Sequence, residues 1–408
     1  MNSLQNKIDV LAPSSVPTTI VVTSDVTEAV RITGDRNVHL DLGGHTWTPP
    51  EGEHAVFIDG GSVRISNGRI ITNKGACVRM GAPNSTFHSN VKLDADLDLD
   101  STEYPAVFIS RGGNLVTSAN MFAHNGNGEG TGCIQGNGTD SQWFNSATIN
   151  GGSLISEGTA IYWPQVGTLN INGGTISGVT GVEMRAGALK VTGGTIMGTA
   201  SPTSVTPNGN GSTSLGAGIA IAQHTTAQEL SAIITGGSVM GFSAVYESNP
   251  EGNADAASTV SMEIVGGDFQ AINGGTVAVY SETQKAFVSG GTFNTPVSQD
   301  LCASGFEVSD KGDGSFGVVL DSWGSQAVGL GVGFVGMQRL VMRNKSLKYI
   351  PGGVPIPDPS FNPLCVLSAT AKGGIDAWYD PANRKIVLYR NGSEISGEVE
   401  EVTIILIG

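Results

Sequence analysis

Short alternations of apolar and polar residues recur along most of the chain and are broken every few positions by Gly, Asn or Pro, the pattern of many short β-strands. The first are Ile20–Val22, Val30–Ile32 and Val38–Leu42; in the last, Val38, Leu40 and Leu42 share one face and His39 and Asp41 the other, and the turn Gly43-Gly44 closes it. Further strands are predicted at 55–58, 63–65, 69–72 and 77–80. Strands this closely spaced leave no room for helical crossovers, so the chain is expected to wind round and pair each strand with its equivalent one turn on. No window sustains apolar residues at three- and four-residue spacing, so little helix is expected.

Between Asn150 and Thr292 one phrase repeats: Asn150-Gly151-Gly152-Ser153, Asn172-Gly173-Gly174-Thr175, Thr192-Gly193-Gly194-Thr195, Thr235-Gly236-Gly237-Ser238, Val265-Gly266-Gly267-Asp268 and Ser289-Gly290-Gly291-Thr292. Steps of roughly 20 to 30 residues, with one double step, signal a stacked architecture. The long steps hold polar tracts at 199–217 and 248–257, read as loops that project from a rod. Aligning the second half of each repeat puts Ile161, Val182, Ile219, Val245 and Val279 in an inward aliphatic column. Tyr162, Glu183, Ala220, Tyr246 and Tyr280 then form an outward one. A coil of about 22 residues would give about 13 coils and a rod of ~60 Å.

The expected fold is all-β: a single-stranded right-handed parallel β-helix, a solenoid, followed by a small antiparallel β module. Residues 1–19 are a leader or oligomer contact, in which Leu4, Ile8 and Leu11 suffice for a short helical turn before Pro13 and Pro17. Residues 20–320 are the β-helix with a terminal cap. A connector with one or two strands follows at 321–348, and 349–408 form the C-terminal module, with a hairpin turning at Asp380-Pro381-Ala382-Asn383.

Composition narrows the function classes. With 59 Gly, 14% charged residues and no collagen-like period, the chain favours tight turns over disorder. A formal charge of −15 without a Lys/Arg cluster argues against nucleic acid as a partner, because phosphate affinity needs concentrated positive charge. No apolar run reaches the length of a membrane span, and residues 1–19 lack the apolar core of a secretory leader. Cys77, Cys133, Cys302 and Cys365 have no metal or redox spacing and read as buried free thiols, as in a protein folded in a reducing cytoplasm.

Candidate chemistry is sparse. Residues 91–100 alternate, placing Leu93, Ala95, Leu97 and Leu99 inward and Asp94, Asp96, Asp98 and Asp100 outward on one strand. A bound Ca²⁺ would relieve their repulsion, but without a ligand loop of calcium-site spacing a solvated face is the reading preferred. Glycoside hydrolysis needs two carboxyl groups about 5 to 9.5 Å apart. Glu183 and Glu247 lie on equivalent segments but on opposite faces, Glu247 in the aliphatic column, while Glu157 and Asp268 sit near turns. No catalytic residue, metal or cofactor is therefore assigned. The Tyr162, Tyr246 and Tyr280 column, with Trp163 beside it, is the candidate surface for a sister subunit or a glycan, against incidental packing.

Two resemblances add to this. Residues 290–318, running from Gly290-Gly291-Thr292-Phe293 to a closing hairpin at Asp313-Gly314, resemble the terminal unit of glycine-rich β-helical repeat proteins of bacteria and their phages. The segment Tyr349-Ile350-Pro351-Gly352-Gly353-Val354-Pro355, then Ala377-Trp378-Tyr379-Asp380, Lys385-Ile386 and an apolar end at Gly408, resembles the C-terminal part of tailed-phage virion structural proteins. These are of the head-decoration, head-fibre or spike type. The resemblance implies a non-enzymatic virion protein, made in the host cytoplasm without a signal peptide. It also implies a homotrimer that contacts other virion proteins of capsid or tail and touches the host surface, with a host-surface glycan as a further candidate partner. Tyr349, Gly352, Gly353, Trp378, Tyr379 and Asp380 are then the anchoring residues. The alternatives are a tailspike-like polysaccharide depolymerase and a bacterial surface adhesin, the latter weakened by the lack of a leader or anchor.

Overall fold

The computed structural model describes residues 3–82, 87–124, 132–138 and 143–320, and beyond these the segments 325–329, 338–349, 354–355, 365–370, 375–380, 385–390, 393–395 and 397–407. The chain divides into two compact units: Met1–Leu301 with Asp310–Gly317, and Cys302–Ser309 with Val318–Gly408.

The first unit is a parallel β-helix. Each coil lays one strand into each of three sheets, and each sheet holds ten parallel strands. One coil shows the pattern: Gly167–Ile171 lies in the first sheet, Thr175–Gly178 in the second and Val182–Met184 in the third, and Gly187–Val191 returns to the first. Ten coils span about 45 Å at ~4.8 Å each, fewer than the 13 expected. The short period holds only where no tract is inserted: in the first sheet Leu169 is followed one coil on by Leu189, but Leu115 by Ala147 and Leu189 by Ala232.

The repeated phrase marks the corner between the first and second sheets. Gly174 has φ +88° and Gly194 φ +86°, and a Cβ on either would sit within 3 Å of the glycine backbone one coil earlier. Only glycine fits a corner that is both left-handed and this close to its neighbour. The residue before each pair forms a ladder along the corner: Asn172 Nδ2 donates to Asn150 Oδ1 at 2.9 Å, and Thr192 Oγ1 to Asn172 Oδ1 at 3.0 Å.

The interior is filled by like side chains stacked on like. Ile161, Val182, Ile219, Val245 and Val279 pair in that order, and each is buried. In the second sheet Phe269 stacks on Phe293, centroids 5.0 Å apart and 14° from parallel. There the parallel run stops, because Thr292 and Phe293 pair antiparallel with Gly317 and Phe316. At the other end helix α1 (Leu4–Asp9) buries Leu4 and Ile8. The Gln5 amide takes both backbone groups of Arg31, accepting from its N at 2.7 Å and donating to its O at 2.9 Å. A side chain thus satisfies the edge that a further strand would have filled. Of residues 1–19, expected to be a leader or oligomer contact, Leu4–Asp9 fold onto the coil end.

The acidic run is not one strand. Ser89–Leu93 belongs to the first sheet and Leu97–Thr102 to the second, with Ala95 exposed at the corner between them. Three of its four acids are matched by neighbours one coil away: Asp94 accepts from Arg64 Nε at 2.6 Å, Asp98 from Asn120 at 3.0 Å and Asp100 from Arg69 at 2.5 Å. A two-residue alternation reads the same through a tight corner, so the pattern alone could not place the break.

The second unit is antiparallel. A 12-residue strand, Gln338–Tyr349, pairs with Ser325–Gly329 and with Gly397–Ile407. Residues 338–348, expected in a connector, are thus part of this sheet. The expected hairpin is present, Asp376–Asp380 pairing with Lys385–Arg390, Asp380 opposite Lys385.

Candidate functional site: the outward face of the third sheet

Strand register fixes a single outward column along the third sheet: Arg31, Phe57, Arg79, Phe108, Gln135, Tyr162, Glu183, Ala220, Tyr246 and Tyr280. Its second half is the column expected from the repeats; its first half alternates guanidinium and aromatic ring. Arg31 lies 4.6 Å from the Phe57 centroid and Arg79 3.9 Å from that of Phe108, geometry that favours cation–π attraction. His54 and Tyr104 extend the aromatic surface, with ring centroids 5.4 Å apart, and Tyr104 lies 6.2 Å from Phe108. Burial, and then Arg79, hold the His54 imidazole below its ordinary pKa.

The middle of the column is roofed. The 199–217 tract, expected to project, folds back as a hairpin of Ser204–Val205 against Ser214–Leu215. Its tip is fastened to three side chains of the sheet and the following corner. The Tyr162 hydroxyl donates to the Gly211 carbonyl at 3.0 Å. Glu183 accepts from Thr213 N at 2.7 Å, Thr213 Oγ1 at 2.8 Å, Ser214 N at 3.3 Å and the Ser212 hydroxyl. Arg185 donates to the carbonyls of Ala222, Asn208 and Gly211. The tract at 248–257 joins the same assembly. Glu251 pairs with Arg185 at 2.5 Å and accepts from Asn208 N at 3.1 Å, and Asn253 donates to Gln223 and His224. A buried guanidinium without such partners would be costly.

Burial pushes the Glu183 carboxyl above its ordinary pKa against the opposing pull of Ser212 and Thr213. It likewise pushes the Tyr162 phenol up to about 12, although Arg185 opposes this. Glu247, on the inward side as the alternation implied, is also fully buried. It accepts from Ser281 Oγ at 2.7 Å, Thr283 N at 2.8 Å and Thr283 Oγ1 at 2.7 Å.

The candidate surface residues therefore separate. Tyr162 is 5% exposed beneath the hairpin and offers little contact surface, and Trp163, wholly buried in the inward column opposite Met184, offers none. The alternation placed Tyr162 outward correctly, but an outward face is not a solvent face when an insertion covers it. Tyr246 and Tyr280 remain open, Tyr280 39% exposed, their rings stacked at 4.7 Å. In the second unit Trp378 is 55% exposed and Tyr379 buried, as successive residues of a strand are. Tyr349 pairs with Gly397 and Asp380 with Lys385, while Gly352 and Gly353 lie outside the described residues.

Beside the roof, between the hairpin and the preceding coils, runs a groove of about 920 Å³. Phe108, Gln135 and Tyr162 form its floor, and Tyr104, Glu103 and Glu157 stand along it. Phe108 was legible: Val56-Phe57-Ile58, Val78-Arg79-Met80 and Val107-Phe108-Ile109 share the apolar–x–apolar form of the later strands, so the column extends upstream by the same alignment. Arg185 had only its rarity as a signal, one of 21 basic residues set just beyond a core strand.

Among the described residues, no three His, Cys, Asp or Glu side chains are grouped to hold a metal ion, and no helix is long and apolar enough to cross a membrane. Cys77 and Cys133 are free and buried, Cys302 is buried, and burial raises the Cys77 thiol to about 12; Cys365 has no described side chain. Comparison with protein-family models, curated proteins and solved structures finds no match.

Proposed function

We propose that this protein is a non-enzymatic structural component of a tailed-phage virion: a capsid decoration, head fibre or spike, assembled as a homotrimer, that presents its β-helix as a rigid rod. What carries the reading is the pairing of two unlike units in one chain. A stacked parallel solenoid ends on an antiparallel pair at Phe293 and Phe316, and a separate antiparallel unit contains the residues on which the virion resemblance rests. A rod serves display and the second unit attachment. The roles of Glu183 and Glu247 fit this division, since each is saturated by hydroxyl and amide donors and sealed from solvent. A carboxyl held in that way is positioned for the fold and not for a substrate.

Particles assembled with the chain deleted for 349–408 test the reading. Loss of the protein from purified virions, with the β-helix still folded, is expected; normal incorporation and normal trimers would sink the attachment role. One observation favours the alternative, a depolymerase of a surface polysaccharide: Glu103 and Glu157 line the same groove. New reducing ends or unsaturated uronides after incubation with host capsule would establish that reading instead.

A further inference from the structure

We infer that the groove beside the hairpin is a binding site for an uncharged oligosaccharide, with Tyr104 and Phe108 as its stacking platform and Glu103, Gln135 and Glu157 as acceptors and donors for sugar hydroxyls. The inference concerns the isolated protein and does not depend on its place in a particle.

Size comes first. At about 920 Å³ the groove lies at the upper end of the range of small-molecule sites, room for several sugar rings. Its lining is amphiphilic: aromatic rings and Pro105 lie beside amides and hydroxyls from the hairpin, among them Asn208, Asn210 and Ser212. A pyranose has the same division, with apolar C–H faces and a polar rim, so one ligand satisfies both kinds of wall. Phe108 is braced for this use, with Arg79 over the ring at 3.9 Å from the preceding coil.

Charge selects within that class. Among the described residues no Lys, Arg or His lines the groove, and the carboxyl groups that do are Glu103 and Glu157, the latter 3.3 Å from the His124 imidazole behind it. The chain as a whole carries −15. A phosphate, sulfate or uronate would face two carboxylates, with Arg79 held over the Phe108 ring and His124 on Glu157, and is disfavoured against a neutral ligand. Hydroxyl groups lose nothing there, because a carboxylate accepts from two of them at once.

The groove is also preorganised. The floor is set by strand register through Phe108, Gln135 and Tyr162. The hairpin wall is held at its tip by Glu183, Arg185 and the Tyr162 hydroxyl. A wall already fixed costs no ordering when a ligand arrives. The buried polar assembly thereby acquires a purpose: it holds a loop of hydroxyls and amides beside an aromatic floor. Tyr246 and Tyr280, by contrast, lie outside the groove and stack on each other.

Isothermal titration of the purified full chain tests this with maltohexaose, cellohexaose, mannohexaose and the hexamer of N-acetylglucosamine, against hexagalacturonate as the anionic probe and a lysine-rich peptide as the cationic one. At least one neutral oligomer is expected to bind saturably and hexagalacturonate not at all. Phe108→Ala and Tyr104→Ala should each weaken binding by about tenfold, Glu157→Gln by less, and Tyr280→Ala should leave it unchanged. Far-UV circular dichroism and melting of each variant separate lost binding from lost fold, and Glu157→Gln, at an exposed position, keeps the test open if an aromatic variant fails to fold. Shortening of a bound oligomer would support the groove as its site and the depolymerase reading besides. The inference is overturned if no neutral oligomer binds at ~10 mM, if hexagalacturonate or the peptide alone binds, or if Tyr280→Ala weakens binding as much as the groove variants do.

Discussion

Two stretches of one column on the third sheet share a backbone register and differ in everything else. From Tyr162 to Ala220 the outward side chains lie beneath the 199–217 hairpin and are buried. From Tyr246 to Tyr280 no hairpin covers the column: Tyr246 is half-buried, Tyr280 is 39% exposed, and the two rings stack. The strands themselves are nearly interchangeable; what differs is what the chain inserts between one coil and the next. A repeat therefore specifies the scaffold, and its interruptions decide which part of the scaffold is core and which is surface. The covered stretch should behave as interior under mutation and the open stretch as exterior, although alternation gives them one pattern.

The strongest test is Arg185. Its guanidinium is fully buried and joins the sheet corner to both inserted tracts through Ala222, Asn208, Gly211 and Glu251. Arg185→Ala removes the cation that pairs with Glu251 and one donor from each of three carbonyls, and breaking a buried pair on one side costs about 3–5 kcal/mol. Chemical denaturation should record a loss of that order, with new protease cleavage within 199–217. A variant as stable and as protease-resistant as the parent would show that the roof does not depend on the latch.

Glu247→Ala should cost less, about 2–3 kcal/mol, by stranding the Ser281 and Thr283 donors that converge on it. A drop in denaturation midpoint without a change in slope is expected. An effect within about 0.5 kcal/mol, the usual size at a surface site, would mean that solvent replaces the lost acceptor and that the site is less sealed than its geometry implies.

The buried Glu183 carboxyl can also be probed by pH. Burial raises the Glu183 pKa above its ordinary value, so the folded chain keeps that proton to higher pH than the unfolded chain does. The protonated group's stabilising contribution is complete below the unfolded value and is lost as pH rises through the raised folded value. The stability advantage of the parent over Glu183→Gln should therefore shrink as pH increases above the ordinary value of 4.5. An advantage that grows with pH would mean that the donors from Ser212, Thr213 and Ser214 outweigh burial and hold the group as an anion.

Much of the scaffold was legible because its signals are local and repeated. The glycine corners, the inward aliphatic column and the outward column could be read from alignment, and each occupies the register that alignment implied. What the pattern missed is where the chain leaves the repeat. The tract at 199–217, rich in Ser, Thr, Pro, Gly and Asn, has the composition of a free loop, and only the distant partners Tyr162, Glu183 and Arg185 make it a roof. The break at Ala95 and the strand at 338–349 were hidden for a related reason, since alternation is the same through a corner and composition does not tell a connector from a strand with a partner. The groove needed both kinds of information: its floor lay in the columns, its wall in the excursion.

The smallest effect belongs to the open stretch. Tyr280 contributes one ring stacked on Tyr246 and is 39% exposed, so Tyr280→Ala removes an aromatic pair worth about 0.5–1.5 kcal/mol and little buried area. The pairing of Val245 with Val279 beneath it is untouched. Thermal unfolding should shift by a few degrees at most, and Tyr246, relieved of its neighbour and of some burial, should titrate closer to the ordinary phenol range, which ultraviolet difference spectra report. A loss as large as that of Arg185→Ala would erase the contrast between the two stretches, because a residue on an open column would then be carrying interior energy through a surface that something else covers.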